Sequence, residues 1–272
     1  MIKQSSTKEI QKFKNLVLDY YAHNGRHNLP WRKKSRTPYQ VLVSEIMLQQ
    51  TQVDRVIPFF RAWMKQFPNF KKLAQASQAE ILKYWKGLGY NSRALRLHKL
   101  ANIITQEYGG RLPSDRKILE TLPGIGPYTA GAIRVFAFGK SDVFIETNIR
   151  RAFIYHFFHD TQGVDDHAIL ELVAYSVPDH EIFTWYSALM DYGSTLPKIL
   201  KKNPNVRSKH YTKQSKFEGS DRQIRGKILE IVLKEEKIPQ TKLFNQLGSE
   251  KIRYKKIIDQ MIDEGFLEKK KG

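Results

Sequence analysis

The chain has 272 residues, with 46 Lys and Arg against 27 Asp and Glu, a formal charge of +19, 41% hydrophobic residues and no cysteine. So large a positive excess is the footprint of a polyanion binder, while the lack of thiols excludes disulfides, a thiolate nucleophile, a zinc ribbon and a thiolate-held iron–sulfur cluster. No stretch approaches the roughly 18 apolar residues of a membrane span, and residues 1–6 lack a signal-peptide core, so a cytoplasmic, nucleoid-associated or nuclear location is expected.

In chain order, apolar residues recur at three- and four-residue spacing over 8–22, 38–50, 54–66, 78–86, 92–108, 115–121, 127–138, 148–158, 166–176 and 181–192. Pro and Gly fall between these stretches and no run alternates like a strand, so an all-α fold is expected over 1–200. Residues 201–217 are polar, basic and turn-rich, reading as a linker or a DNA-facing loop, with Lys201, Lys202, Arg207, Lys209, Lys213 and Lys216 available to phosphates. Three short helices at 221–235, 239–247 and 250–264 then close on 265–270, the order of a winged helix spanning 218–272. Such a module either binds DNA through its third helix or docks protein.

Three segments carry chemistry. Leu122 to Gly131 reads Leu-Pro-Gly-Ile-Gly-Pro-Tyr-Thr-Ala-Gly, the hairpin of a helix-hairpin-helix. Gly124 and Gly126 let the backbone approach a phosphate, and Pro127 presets a helix whose bare first amides face it. An ordinary Gly-rich turn is the plain alternative for Gly-x-Gly alone. Thr37-Pro38 starts a helix on which Glu45 leaves an apolar face made by Val41, Leu42 and Leu48. Desolvation there would raise its pKa and suit it to act as a general acid, the alternative being a cap or salt bridge. Glu146 precedes a helix, where amides and the dipole favour its ionised form. Two carboxyls pushed in opposite directions would divide acid and charge-stabilising roles.

Leu29-Pro30-Trp31-Arg32, Ser44 to Val53, Gly87-Leu88-Gly89-Tyr90, Leu122 to Gly131 and Glu146 to Arg151, in this order, resemble the helix-hairpin-helix DNA glycosylases related to endonuclease III. Within these they resemble the MutY-type adenine mismatch glycosylases, over about residues 8–195. The resemblance implies a base-flipping N-glycosylase of two helical lobes, acting as a monomer on double-stranded DNA that holds a mismatch or lesion. Glu45 would protonate the departing base, Gln49 and Gln50 would fill the vacated stack, Tyr90 would be the wedge, and Trp31 and Arg32 would rim the base pocket. Arg93, Gly124, Gly126, Thr129 and Asn148 join the expected DNA-contacting set. Tyr128 stands where bifunctional relatives carry a Schiff-base lysine, which implies hydrolysis with little or no lyase activity. No cofactor is required, although a monovalent cation at the 122–128 hairpin is compatible with the resemblance.

The chain departs from the pattern in three ways. Glu146 replaces the family's catalytic Asp, the four cluster cysteines are missing after residue 192, and the three-helix module replaces a Nudix-like reader of oxidised guanine. Three functions therefore remain open: an adenine mismatch glycosylase, a glycosylase for uracil, thymine or hypoxanthine, and a catalytically weak lesion-binding protein.

Overall fold

Caps and prolines set where the helices begin. At the start of α2 (Pro38–Leu48), the Thr37 hydroxyl accepts from the Gln40 amide at 3.3 Å and Gln40 Oε1 accepts from the Thr37 amide at 2.9 Å, a reciprocal capping box with proline behind it. Asn69, Ser77, Asp115 and Asp165 cap α4 (Phe70–Gln75), α5 (Gln78–Trp85), α7 (Arg116–Thr121) and α10 (Asp166–Ser176) through their own side chains. The remaining helices of the first 200 residues are α1 (Thr7–Asn24), α3 (Val53–Gln66), α6 (Ser92–Glu107), α8 (Pro127–Phe138), α9 (Thr147–Phe157) and α11 (Ile182–Leu200).

The computed structural model describes residues 7–213, 216–235 and 237–269, and among these there is no strand, only a parallel bridge between Val164 and Ser208. Lys270, the last residue of the expected wing, lies outside the described residues, and 265–269 form turn and coil.

Two apolar cores divide the helices. One gathers Leu42 and Ile46 of α2, Trp63 of α3, Trp85 of α5 and Leu97 and Leu100 of α6. The other gathers Phe13 and Val17 of α1, Ile149 and Phe153 of α9, Ile169 of α10, and Trp185 and Leu189 of α11. Helices α2 and α8 serve both, since Val41 and Ala132 belong to the second core while Leu42 and Ile133 belong to the first. That explains why Val41 to Met47 are buried without a break: a helix between two lobes has no solvent face.

Two elements escape the sequence periodicity. The six residues of α4 are too short to display it. Helix α11 continues from the expected end at 192 to Leu200, through Gly193 and Pro197, because Leu196 is buried in the second core; tertiary packing there overrides poor intrinsic propensity. The C-terminal helices α12 (Asp221–Glu235), α13 (Gln240–Leu247) and α14 (Lys251–Asp263) stand close to their expected bounds. Their apolar residues Ile228, Ile257 and Met261 are continuous with the first core, so the module packs on that lobe.

Candidate active site between the lobes

Glu45 sits on α2 with only 5% of its surface exposed. The Tyr128 hydroxyl, from the second residue of α8, donates to Glu45 Oε2 at 2.7 Å. Burial pushes the Glu45 carboxyl up to about 7; the Tyr128 hydrogen bond opposes the shift, the nearby Glu146 carboxylate adds to it, and Arg32 opposes it. A carboxyl so placed is substantially protonated near neutrality and can deliver a proton. Burial, with both carboxylates close by, drives the Tyr128 phenol well above its ordinary range, so it remains a donor.

Glu146 is the N-cap of α9. Its Oε1 accepts from the Asn148 and Ile149 amides at 2.7 and 2.9 Å, and Oε2 accepts from Asn148 Nδ2 at 3.2 Å. The sequence suggests that these amides would hold the carboxylate fully ionised. Instead its pKa is raised, because burial outweighs the two amides and the charges of Arg151 and Arg150. Both carboxyls are thus pushed the same way, Glu45 having no backbone amide to restrain it. Arg151 spans from Asn148 Oδ1 (2.7 Å) to the Gly193 carbonyl (2.8 Å), locking the start of α9 to α11. Asp142, the nearest other acid in sequence, is neutralised by Arg116 and by Arg134 at 2.6 Å, and lies outside this constellation.

Around the acids the expected contact residues separate into two groups. Gly126 and Pro127 are exposed at the uncapped start of α8, behind Gly124 at φ +84°, a conformation side chains rarely adopt; the bare amides of that helix start are suited to an anion. Gln50 is exposed and Tyr90 half-buried, and both have left-handed backbones, φ 54° and 49°. Non-glycine residues held this way cost of order 1–3 kcal/mol each and concentrate at functional sites.

The second group turns inward. Arg93, expected to contact DNA, is buried: it donates to the carbonyls of Ile46 (3.0 Å), Met47 (2.8 Å), Gln49 (2.5 Å) and Gly89 (2.8 Å). It satisfies the orphan carbonyls ending α2 and ties the Gln49–Gln50 turn to the Tyr90 loop. Arg32 is likewise committed, forming two hydrogen bonds with Asp191 at 2.7 and 2.9 Å. Trp31 packs edge-on against Phe60 with ring centroids 5.2 Å apart. Thr129 is buried, its hydroxyl accepting from Gln49 Nε2 at 3.4 Å. Asn148 reaches Glu146 and Arg151. The sequence signalled none of these inward partners except by the residue types themselves, since Asp191 and Arg151 come from other segments.

The family's iron–sulfur cluster finds no ligands here. The chain has no cysteine, and no group of His, Cys, Asp or Glu among the described residues could hold a metal ion. The segment where the cluster cysteines would fall instead turns back on α9. Asn205 Nδ2 donates to the Thr147 carbonyl at 2.9 Å, and Arg207 to those of Phe158 and Ile154 at 2.5 and 3.0 Å. The sequence places Arg207 among the phosphate-facing cations of a linker or DNA-facing loop; in the structure it is buried, because the C-terminal carbonyls of α9 attract a cation. Lys209 pairs with Asp165 at 3.2 Å, while Lys201, Lys202, Lys213 and Lys216 remain exposed.

Residues 43–174 match the HhH-GPD superfamily of base excision DNA repair proteins. The chain is 35% identical over 271 residues to an adenine DNA glycosylase of Mycolicibacterium smegmatis, covering 93% of this chain and 91% of that one. Among solved structures, a thermostable thymine-DNA glycosylase superposes with a TM-score of 0.60 at 29% identity, over 69% of this chain and 87% of the other. An endonuclease III–DNA complex shares the fold, with a TM-score of 0.57 at 18% identity over 68% and 84%. With Glu45, Tyr128 and Glu146 gathered behind the exposed start of α8, and with this likeness over nearly its whole length, the chain belongs to the HhH-GPD superfamily of base excision DNA repair proteins.

Proposed function

We propose that the protein is a DNA N-glycosylase that flips an adenine out of a mismatched pair and hydrolyses its N-glycosidic bond. The observation that carries this reading is the buried Glu45 carboxyl, pushed up to about 7 and oriented by Tyr128 at 2.7 Å. A purine leaves as a neutral base only if a ring nitrogen takes up a proton as the bond breaks, and Glu45 is an acid poised to supply it. Positive charge develops on the sugar in the same step. Glu146 brings negative charge to the pocket to oppose it and to orient the attacking water. The name of the Mycolicibacterium smegmatis relative supports adenine as the base.

Tyr128 offers a phenol and no amine, so a Schiff base does not form there and the reaction ends at the abasic site. Duplex DNA is the partner that the net charge of +19 and the uncapped α8 start favour.

The test is a single-turnover panel of duplexes with adenine, uracil, thymine or hypoxanthine opposite each normal base and 8-oxoguanine. Release of adenine, leaving an intact abasic strand until alkali is added, is expected. Release of thymine alone would move the protein towards the thymine-DNA glycosylase it also resembles. No release from any duplex would make it a binding protein.

A further inference from the structure

One helix of the C-terminal module grips both ends of the loop from Lys86 to Tyr90. At the first end Lys86 Nζ meets Glu230 Oε1 at 2.8 Å. At the other, Arg222 Nη1 donates to the Tyr90 hydroxyl at 2.7 Å, with its guanidinium 5.7 Å from the ring centroid. Both partners lie on α12, eight residues apart. From inside the lobe, Arg93 holds the same loop through the Gly89 carbonyl, its guanidinium 5.4 Å from the Tyr90 ring. The ring thus has one guanidinium from each module close to it, on a left-handed backbone, beside a cleft of about 130 Å³ that Arg222, Met261 and Phe266 also line.

The loop so held is coupled to the catalytic helix. Arg93 connects the Tyr90 loop to the turn at Gln49, which ends α2, and α2 carries Glu45. We infer that Arg222 is a positioning residue, which sets the tilt of the Tyr90 ring against the base pair being opened. The C-terminal module thereby governs discrimination between mismatched and matched duplexes and does not merely add affinity. This inference rests on the glycosylase reading of the site.

The test is a double-mutant cycle in the full chain with Arg222→Ala, Arg222→Lys and Tyr90→Phe, reading affinity for a mismatched and a matched duplex over a range of salt. Folding is checked by thermal denaturation. Arg222→Ala is expected to lower the mismatch-to-match affinity ratio about three- to tenfold, the worth of one hydrogen bond. Arg222→Lys should recover part of it, and in the Tyr90→Phe background, which keeps the ring but not the hydroxyl, Arg222→Ala should cost clearly less. A uniform loss on both duplexes, with a salt slope shallower by about 0.9, would make Arg222 a phosphate contact and overturn the inference. Equal losses with and without the Tyr90 hydroxyl would overturn it too. Base release by the parent is measured on the same duplexes. A parent that releases no base condemns the glycosylase reading, whereas additivity in the cycle condemns only the role of Arg222.

Discussion

Gly193 and Asn148 meet with no room between them: a Cβ placed on Gly193 would lie 2.1 Å from the Asn148 carbonyl oxygen. Helix α11 comes this close to the first turn of α9, and that turn supplies both amides that hold Glu146. The geometry of the Glu146 carboxyl is thus set by a glycine 47 positions away in the chain.

Gly193→Ala should therefore act at a distance. Overpacking of this kind costs about 1–3 kcal/mol of stability, and moving the start of α9 by ~1 Å is expected to slow base release about a hundredfold. Thermal denaturation and single-turnover rates on saturated duplex check both. A folded variant with the parent rate would show that the contact is not transmitted to Glu146.

Glu45→Gln should abolish base release, a loss of ~10²–10⁴, while duplex affinity is kept. In the parent, the rate should fall as pH rises through about 7, where the carboxyl loses its proton. That folded value lies above the ordinary 4.5, so the group's contribution to stability is complete below 4.5 and lost as pH rises through about 7. The amide variant should accordingly gain stability over the parent on moving from acid to alkaline buffer. An unchanged single-turnover rate would remove Glu45 from the mechanism.

Tyr128→Phe tests the orienting hydrogen bond. The phenol donates to Glu45 and favours its charged form, so its removal should push the Glu45 carboxyl further up. The alkaline fall in rate should then move to higher pH, with activity on the acid side little changed. A pH profile that coincides with the parent's, or moves the other way, would contradict the assignment.

At position 146, aspartate should preserve both the helix cap and the charge, and activity with them. Glu146→Gln keeps the size but loses the charge opposing the developing cation, with an expected loss of ~10²–10³ in rate. Equal rates for Glu146→Gln and the parent would reduce Glu146 to a helix cap, a conclusion to be drawn from single-turnover kinetics beside melting curves.

Arg207→Ala should destabilise the protein by about 1–3 kcal/mol, since the Ile154 and Phe158 carbonyls at the end of α9 each lose a hydrogen bond from a charged donor. The salt slope of duplex binding should stay as in the parent. A variant with unchanged melting and a slope shallower by about 0.9 would return Arg207 to the phosphate-contacting role its surroundings in the sequence suggest.

The sequence by itself determined the helical fold, the hairpin at 122–131 and where Glu45 and Glu146 stand relative to their helices, because each depends on local signals: apolar spacing, caps, prolines and glycines that act within a turn or two. Glu45 was legible since its apolar neighbours at i−4, i−3 and i+3 are the surface that buries it. Only the tertiary structure decided which way the long cations point. Arg32, Arg93 and Arg207 carry the same charge as exposed lysines, yet each turns inward to acceptors that other segments supply: Asp191, the end of α2 and the end of α9. The upward shift at Glu146 belongs to the same class, being set by how deeply two packed lobes desolvate a helix cap. So does the grip of Arg222 on Tyr90, which joins residues 132 apart. Such choices follow from which carbonyls, carboxylates and rings come within reach once the chain has folded, and no window of local sequence contains that information.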